Sequence, residues 1–126
     1  MEKFIQKNQE YLYVVFRVII GLLFLLHGIM KVGGLMGDKI PVVSLIALAG
    51  VIELVAGILI LVGLVTRYAA IISAVQMLVA YFMVHAKGGL NPLANQGELA
   101  VLFFAAFLAI IVHGAGKFSL DHKLKI

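Results

Sequence analysis

Four long apolar runs divide the chain, at about Tyr11–Val32, Val42–Leu64, Arg67–His85 and Gly97–Gly114. A helix needs roughly 20 apolar residues, within about 17–25, to cross the hydrocarbon of a bilayer. The breaks between the runs carry helix-ending residues: Gly33-Gly34, Gly37-Asp38 and Pro41, then Gly63 and Thr66, then Gly88-Gly89, Asn91-Pro92 and Asn95. Backbone groups in lipid must find their hydrogen bonds within the protein, so the spans are helices that pack on one another. The pattern predicts an all-α fold, an integral membrane four-helix bundle forming a single transmembrane domain over residues 1–126.

Within the runs, small residues recur at helical spacing. Gly50, Glu53 and Gly57 share one face of the second span. Ala69, Ser73, Gln76 and Ala80 form a stripe on the third, and Glu98, Ala105 and Ala109 form one on the fourth. Membrane helices approach one another through such residues, so Glu53, Gln76 and Glu98 are expected to point inward. Glu53 stands out because the apolar run around it is otherwise free of charge. An acidic residue at a helix centre costs at least about 2.5–3.5 kcal/mol on insertion scales, and such groups face a bundle interior or a wet cavity with a partner.

Composition agrees with a membrane reading. The 126 residues are 63% hydrophobic and 13% charged, with mean hydropathy +1.14, which excludes an ordinary soluble domain. The net charge of +4 comes from Lys and Arg at the flanks of the apolar runs, and it points to topology and anionic lipid, not to nucleic acid. Lys3, Lys7, Arg17, Arg67, Lys117, Lys123 and Lys125 fall toward one side, and Lys31, Lys39 and Lys87 toward the other. The excess places both termini in the cytoplasm, in the plasma membrane of a prokaryote. The run from Tyr11 to Leu26 is longer than a signal-peptide core, and Lys31 interrupts before small residues, so this segment reads as a retained anchor. The sequence has no cysteine, which removes disulfides, thiolate-held clusters and a thiol relay from this chain.

The polar residues within the runs suggest chemistry. At about 1.5 Å of rise per residue, Glu53 and Gln76 fall near the middle of the membrane, with Arg17 a turn or two nearer the termini. An Arg17–Glu53 ion pair is expected, since each charge needs a partner in hydrocarbon. It fixes helix register in one reading, and lets Glu53 relay a proton beside a ligand in the other. His27 and Lys31 lie one turn apart near the far end of the first span, and His85, Asn95 and Glu98 gather at the same rim. Arg67 and His113 sit at the opposite rim. Imidazole exchanges protons near neutral pH, which suits proton-coupled redox chemistry. No short ligand motif supports a metal or a haem, and no covalent cofactor is predicted. His27-Gly28-Ile29-Met30-Lys31 is echoed by His113-Gly114-Ala115-Gly116-Lys117, which shared helix-end chemistry explains.

These residues together resemble the DoxX family of small four-span membrane proteins. The likeness runs through Arg17, Gly21, His27-Gly28 and Lys31, then Glu53-Leu54, Gly57, Gly63 and Thr66-Arg67. It continues through His85, Asn95, Glu98 and the closing His113-Gly114-Ala115-Gly116-Lys117-Phe118-Ser119-Leu120-Asp121. The resemblance implies a membrane redox function, which in this family includes a subunit of thiosulfate:quinone oxidoreductase. Its shared positions map here onto Arg17, His27, Lys31, Glu53, Arg67, His85 and Glu98.

The expectation is a quinone- or quinol-interacting integral membrane subunit with a polar intramembrane cavity, working with a partner oxidoreductase. Glu53 and His27 are the candidate catalytic residues, and Arg17, Lys31, Gln76, His85, Glu98 and Arg67 the candidate ligand-binding ones. Quinone is the expected ligand, and a homo-oligomer is one arrangement considered. Whether this chain is itself an enzyme stays open. The alternatives are a non-enzymatic membrane adaptor or assembly factor, and a small proton-coupled transporter.

Overall fold

A computed structural model describes residues 1–33 and 45–126. The predicted break at Gly34, Gly37, Asp38, Lys39 and Pro41, and the predicted start of the second span at Val42, lie outside the described residues. Among the described residues the fold is helical throughout, with no strand. Helix α1 covers Glu2–Val32 and α2 covers Leu45–Val62. Helix α3 covers Thr66–Ala80 and runs on through a widened π turn at Tyr81–His85 and a tight 3-10 turn at Ala86–Gly88. Helix α4 covers Glu98–His113, and a short α5 covers Leu120–Leu124.

Three of these helices are long and apolar enough to cross a membrane, at Glu2–Val32, Leu45–Val62 and Thr66–Gly88. The expected fourth span appears as a shorter apolar helix of 16 residues. Gly97 precedes it, and Gly114, at φ 82°, ends it. The 31 residues of α1 reach about 46 Å at 1.5 Å per residue, well beyond a hydrocarbon core of about 30 Å. Its polar first ten residues therefore extend past the hydrophobic layer. Large apolar side chains such as Leu22, Leu26, Leu48, Val55, Ile72 and Val75 are exposed along the helices, as a lipid-facing surface requires.

Helices α1 and α2 touch through glycine. A Cβ placed on Gly28 would stand 2.4 Å from the Leu54 backbone nitrogen. One placed on Gly57 would stand 2.5 Å from the Leu25 nitrogen, and one on Gly21 2.6 Å from the Leu61 nitrogen. Backbone thus lies against backbone, a contact that no side chain permits and that suits hydrocarbon, where dispersion and close packing hold helices together. Helix α4 packs differently. Its buried face is Ala100, Phe103, Phe107 and Ile110, and Phe103 meets Phe24 of α1 at a tilt and Phe107 meets it edge-on, at centroid distances of 5.4 and 4.8 Å. Ala56, Ile60, Ala69, Ala70, Ala74 and Met77 complete the core.

The small-residue stripe expected on the fourth span is therefore not its packing face. Ala105 and Ala109 are exposed, and so is Glu98. The gap beside Phe24 is filled by aromatic rings, which turn the alanines outward. Glu98 sits in the first turn of α4, where a carboxylate complements the positive end of the helix dipole.

Gly28→Val should lower thermal stability in detergent markedly, by at least the roughly 1–3 kcal/mol typical of overpacking, because the obstacle is backbone. Gly88→Ala, with nothing within 4 Å of the added carbon, should leave the melting temperature unchanged. Equal melting temperatures for the two variants would remove the glycine contact from the account.

Candidate functional site

Near the middle of the bundle, Lys31 of α1, Glu53 of α2 and Gln76 of α3 converge. Glu53 is 1% exposed. Its Oε1 accepts from Lys31 Nζ at 2.5 Å and from Gln76 Nε2 at 2.8 Å. The amide of Gln76 also reaches the Ala49 carbonyl at 3.4 Å. Gly50 and Gly28 make this convergence possible. A Cβ on Gly50 would lie 2.7 Å from Cβ of Lys31, so only glycine lets the lysine stem lie against α2.

The arrangement is rich in acceptors. Glu53 Oε2 and Gln76 Oε1 are both buried, and neither has a hydrogen-bond partner among the described residues. A buried acceptor left without a donor costs about 1–3 kcal/mol. Two such atoms on adjoining side chains form a receptor for O–H or N–H groups. Lys31, with about a quarter of its side chain exposed, supplies the positive charge and the way toward the rim.

The expected Arg17–Glu53 pair does not form. Arg17 is 2% exposed, and its guanidinium turns toward the end of the bundle that carries the termini. Its Nε donates to the Ile60 carbonyl at 3.0 Å, and one terminal nitrogen donates to Leu61 at 3.4 Å and Phe118 at 2.9 Å. The other terminal nitrogen donates to the Ala115 carbonyl. The last turn of α2 leaves carbonyls without intrahelical partners and carries the negative end of its dipole, so it holds a buried cation without a carboxylate. Glu53 lies seven residues back along α2 from Ile60, about 10 Å at 1.5 Å per residue, and Lys31 already occupies it.

The same end is closed by Tyr13 and by residues that the family likeness names without a role, Gly63, Gly114, Ser119 and Asp121. Asp121 accepts from the backbone N–H groups of Val65 at 2.7 Å and Thr66 at 2.9 Å, capping α3 from the far end of the chain. Its own N–H donates to the Gly63 carbonyl at 2.8 Å. Gly63 turns at φ 73°, and a Cβ there would strike Ser119. Val65 adopts φ 42°, a costly conformation for a β-branched residue, which the Asp121 grip maintains. The Tyr13 hydroxyl donates to the Gly114 carbonyl, and Ser119 caps α5 by accepting from the His122 N–H at 3.1 Å. Two signals pointed here: Tyr13 lies one turn before Arg17 on the same helix face, and Ser119-Leu120-Asp121 reads as a cap.

The remaining candidates are dispersed. The His27 ring stands edge-on to Phe103 at 5.7 Å, one turn from Lys31 on α1. His85 donates from Nδ1 to the Asn95 carbonyl at 3.3 Å. The Asn95 amide in turn donates to the Gly89 carbonyl at 2.9 Å, which ties the third connection to itself. His85 is nine residues beyond Gln76, about 13 Å along the axis. Glu98 faces outward. Arg67 is at the opposite end of α3, where Nε donates to the Ile111 carbonyl at 3.0 Å and a terminal nitrogen to Val112 at 3.3 Å. No group of three or more His, Asp or Glu suited to a metal occurs among the described residues.

Lys31→Met should destabilise the protein by about 3 kcal/mol, the lower end for breaking a buried pair, since Lys31 is partly exposed. Adding Glu53→Met should recover most of that loss, because two apolar residues replace the pair. A double-mutant cycle by reversible unfolding in mixed micelles measures this, and additive single effects would show that the two charges are not coupled.

Comparison with known proteins places this geometry. The family model described as DoxX matches residues 12–86, which include Arg17, His27, Lys31, Glu53, Arg67, Gln76 and His85. A Haemophilus influenzae protein described as "Uncharacterized protein" is 39% identical over 132 residues, covering 94% of this chain and 95% of the relative. A second Haemophilus influenzae protein with the same description is 34% identical over 73 residues, covering 58% of this chain and 48% of the relative. No solved structure matches the chain. The apolar helices and the match over more than half of its length identify the chain as an integral membrane protein belonging to the DoxX family.

Proposed function

We propose that this protein is a quinone- and quinol-interacting membrane subunit that passes electrons to or from a partner oxidoreductase. The observation that carries the reading is the pair of buried acceptors, Glu53 Oε2 and Gln76 Oε1, which have no donor among the described residues, beside the Lys31 ammonium. A quinol hydroxyl is the donor these atoms lack, and the lysine offers a donor to the carbonyl oxygen of the oxidised ring. The head group is bound in either redox state, with the reduced form favoured by the acceptor excess.

Oxidation of a quinol releases two protons and two electrons. Glu53 is placed to accept a proton from the hydroxyl it binds, and Lys31 to hold the resulting oxyanion. His27, on the same helix, is assigned the second proton, with the lipid-facing aromatic and aliphatic surface receiving the isoprenoid tail. The electrons leave to a redox centre on the partner. Cytoplasmic termini in a prokaryotic plasma membrane belong to the same proposal, supported by the Lys and Arg excess at the terminus-bearing end.

Purified protein in lipid nanodiscs should bind a short-chain quinol more tightly than the matching quinone. Glu53→Gln should weaken quinol binding by at least about tenfold, or 1.4 kcal/mol, with little change in fold, since the amide keeps one acceptor for Lys31 but adds a donor. Calorimetric titration with several quinone types measures both. Failure of a well-folded sample to bind any of them would overturn the proposal.

A further inference from the structure

At the terminus-bearing end, a cleft of about 630 Å³ opens between the first turn of α3, the end of α4 and the C-terminal segment. Its polar wall carries Arg67, His113 and His122, and its outer wall carries Tyr68, Ile71 and Ile126. We propose that this cleft binds the phosphate-bearing headgroup of an anionic phospholipid. The inference is independent of the quinone reading.

Arg67 is fixed in place for the task. Two of its nitrogens donate to the Ile111 and Val112 carbonyls. The guanidinium face also lies against Gly114, where a Cβ would come within 3.1–3.3 Å of three of its atoms. The nitrogen that remains has no partner among the described residues and can offer its hydrogens to a ligand, and a guanidinium positioned in this way matches a phosphate diester well. The carboxylate in the cleft does not cancel this charge. Both oxygens of Asp121 are spent on the Val65 and Thr66 N–H groups, where they neutralise the helix start.

Two further features point to a ligand. Thr66 lines the cleft at 1% exposure, and its Oγ1 is buried without a hydrogen-bond partner among the described residues. The N–H groups of Arg67 and Tyr68 belong to the donors that a helix start leaves without intrahelical acceptors. His113 is held near Glu10, with Nε2 3.6 Å from its carboxylate, and His122 is exposed. The outer wall settles the source of the phosphate. Tyr68 is 72% exposed and Ile71 45%, and they continue into the exposed Ile72 and Val75 of α3. A ligand on this path has its phosphate on Arg67 and its acyl chains along α3, at the depth where a headgroup sits.

The test uses full-length protein, stripped of lipid in mild detergent. Thermal shift and native mass spectrometry then compare phosphatidylglycerol, phosphatidylcholine and inorganic phosphate. Phosphatidylglycerol should stabilise the protein and remain bound, and phosphatidylcholine and free phosphate should do neither. Arg67→Gln should reduce the preference for phosphatidylglycerol about fivefold, the worth of one basic residue near an anionic surface. Because Arg67 also ties α3 to α4, His122→Gln provides a second variant with the fold intact, and it should reduce the preference in the same direction. Lys87→Gln, at the other end of the bundle, should leave it unchanged. Equal binding of the two lipids, or undiminished preference in both cleft variants, would overturn the proposal. A stabilisation by inorganic phosphate equal to that by phosphatidylglycerol would also overturn it, in favour of a soluble anion.

Discussion

The backbone contact between α1 and α2 is the constraint from which the rest of the structure follows. Gly21 and Gly28 on one helix and Gly50 and Gly57 on the other bring two main chains within touching distance. At that separation a lysine stem can lie across α2 and place its ammonium on a buried carboxylate. An arginine about four turns nearer the termini on α1 can reach the carbonyls at the end of the same helix. With side chains in place of the glycines, both cations would be held away from their partners. The buried charges would then have to be compensated by other means, at several kcal/mol each.

The two cations solve the same problem differently. Arg17 is surrounded by carbonyl dipoles from α2 and the C-terminal segment, and four of its five N–H donors, from all three of its nitrogens, are used to hold the helix ends together. The Lys31–Glu53–Gln76 group is the opposite case. Its donors fall on one carboxylate oxygen, and the other oxygen and the amide oxygen have no partner among the described residues. A group that served only to lock helices would be expected to satisfy both oxygens, as the Asp121 carboxylate does at the start of α3. This contrast within one small protein supports the proposal that the Lys31–Glu53–Gln76 group is a site, where Asp121 is a fastening.

Much of the architecture was legible in the sequence, because lipid imposes strict rules on length and hydropathy. The helices, the inward face of Gly50, Glu53 and Gly57, and the inward turn of Gln76 all follow from spacing alone. Side-chain partnerships did not. A buried arginine in hydrocarbon suggests a carboxylate partner such as Glu53, whereas four carbonyls at helix and loop ends hold Arg17. Glu98 was turned inward by the alanines that share its face, but the packing face of α4 was decided by three phenylalanines closing around one another. The Asp121 cap joins residues 55 and 56 positions apart in the chain, and no local pattern encodes a contact of that range. His27 and Lys31, one turn apart and only about 40° apart around the helix, meet different neighbours, Phe103 of α4 for the first and Glu53 of α2 for the second, because α4 and α2 pack side by side on that part of α1.

In the proposed function, Oε2 of Glu53 receives a hydroxyl from a quinol. Difference infrared spectroscopy on protein carrying 13C-labelled glutamate side chains observes that oxygen directly. Addition of quinol should shift a labelled carboxyl band, and the shift should vanish in Glu53→Gln. A bound quinol that leaves every labelled glutamate band in place would contradict the account.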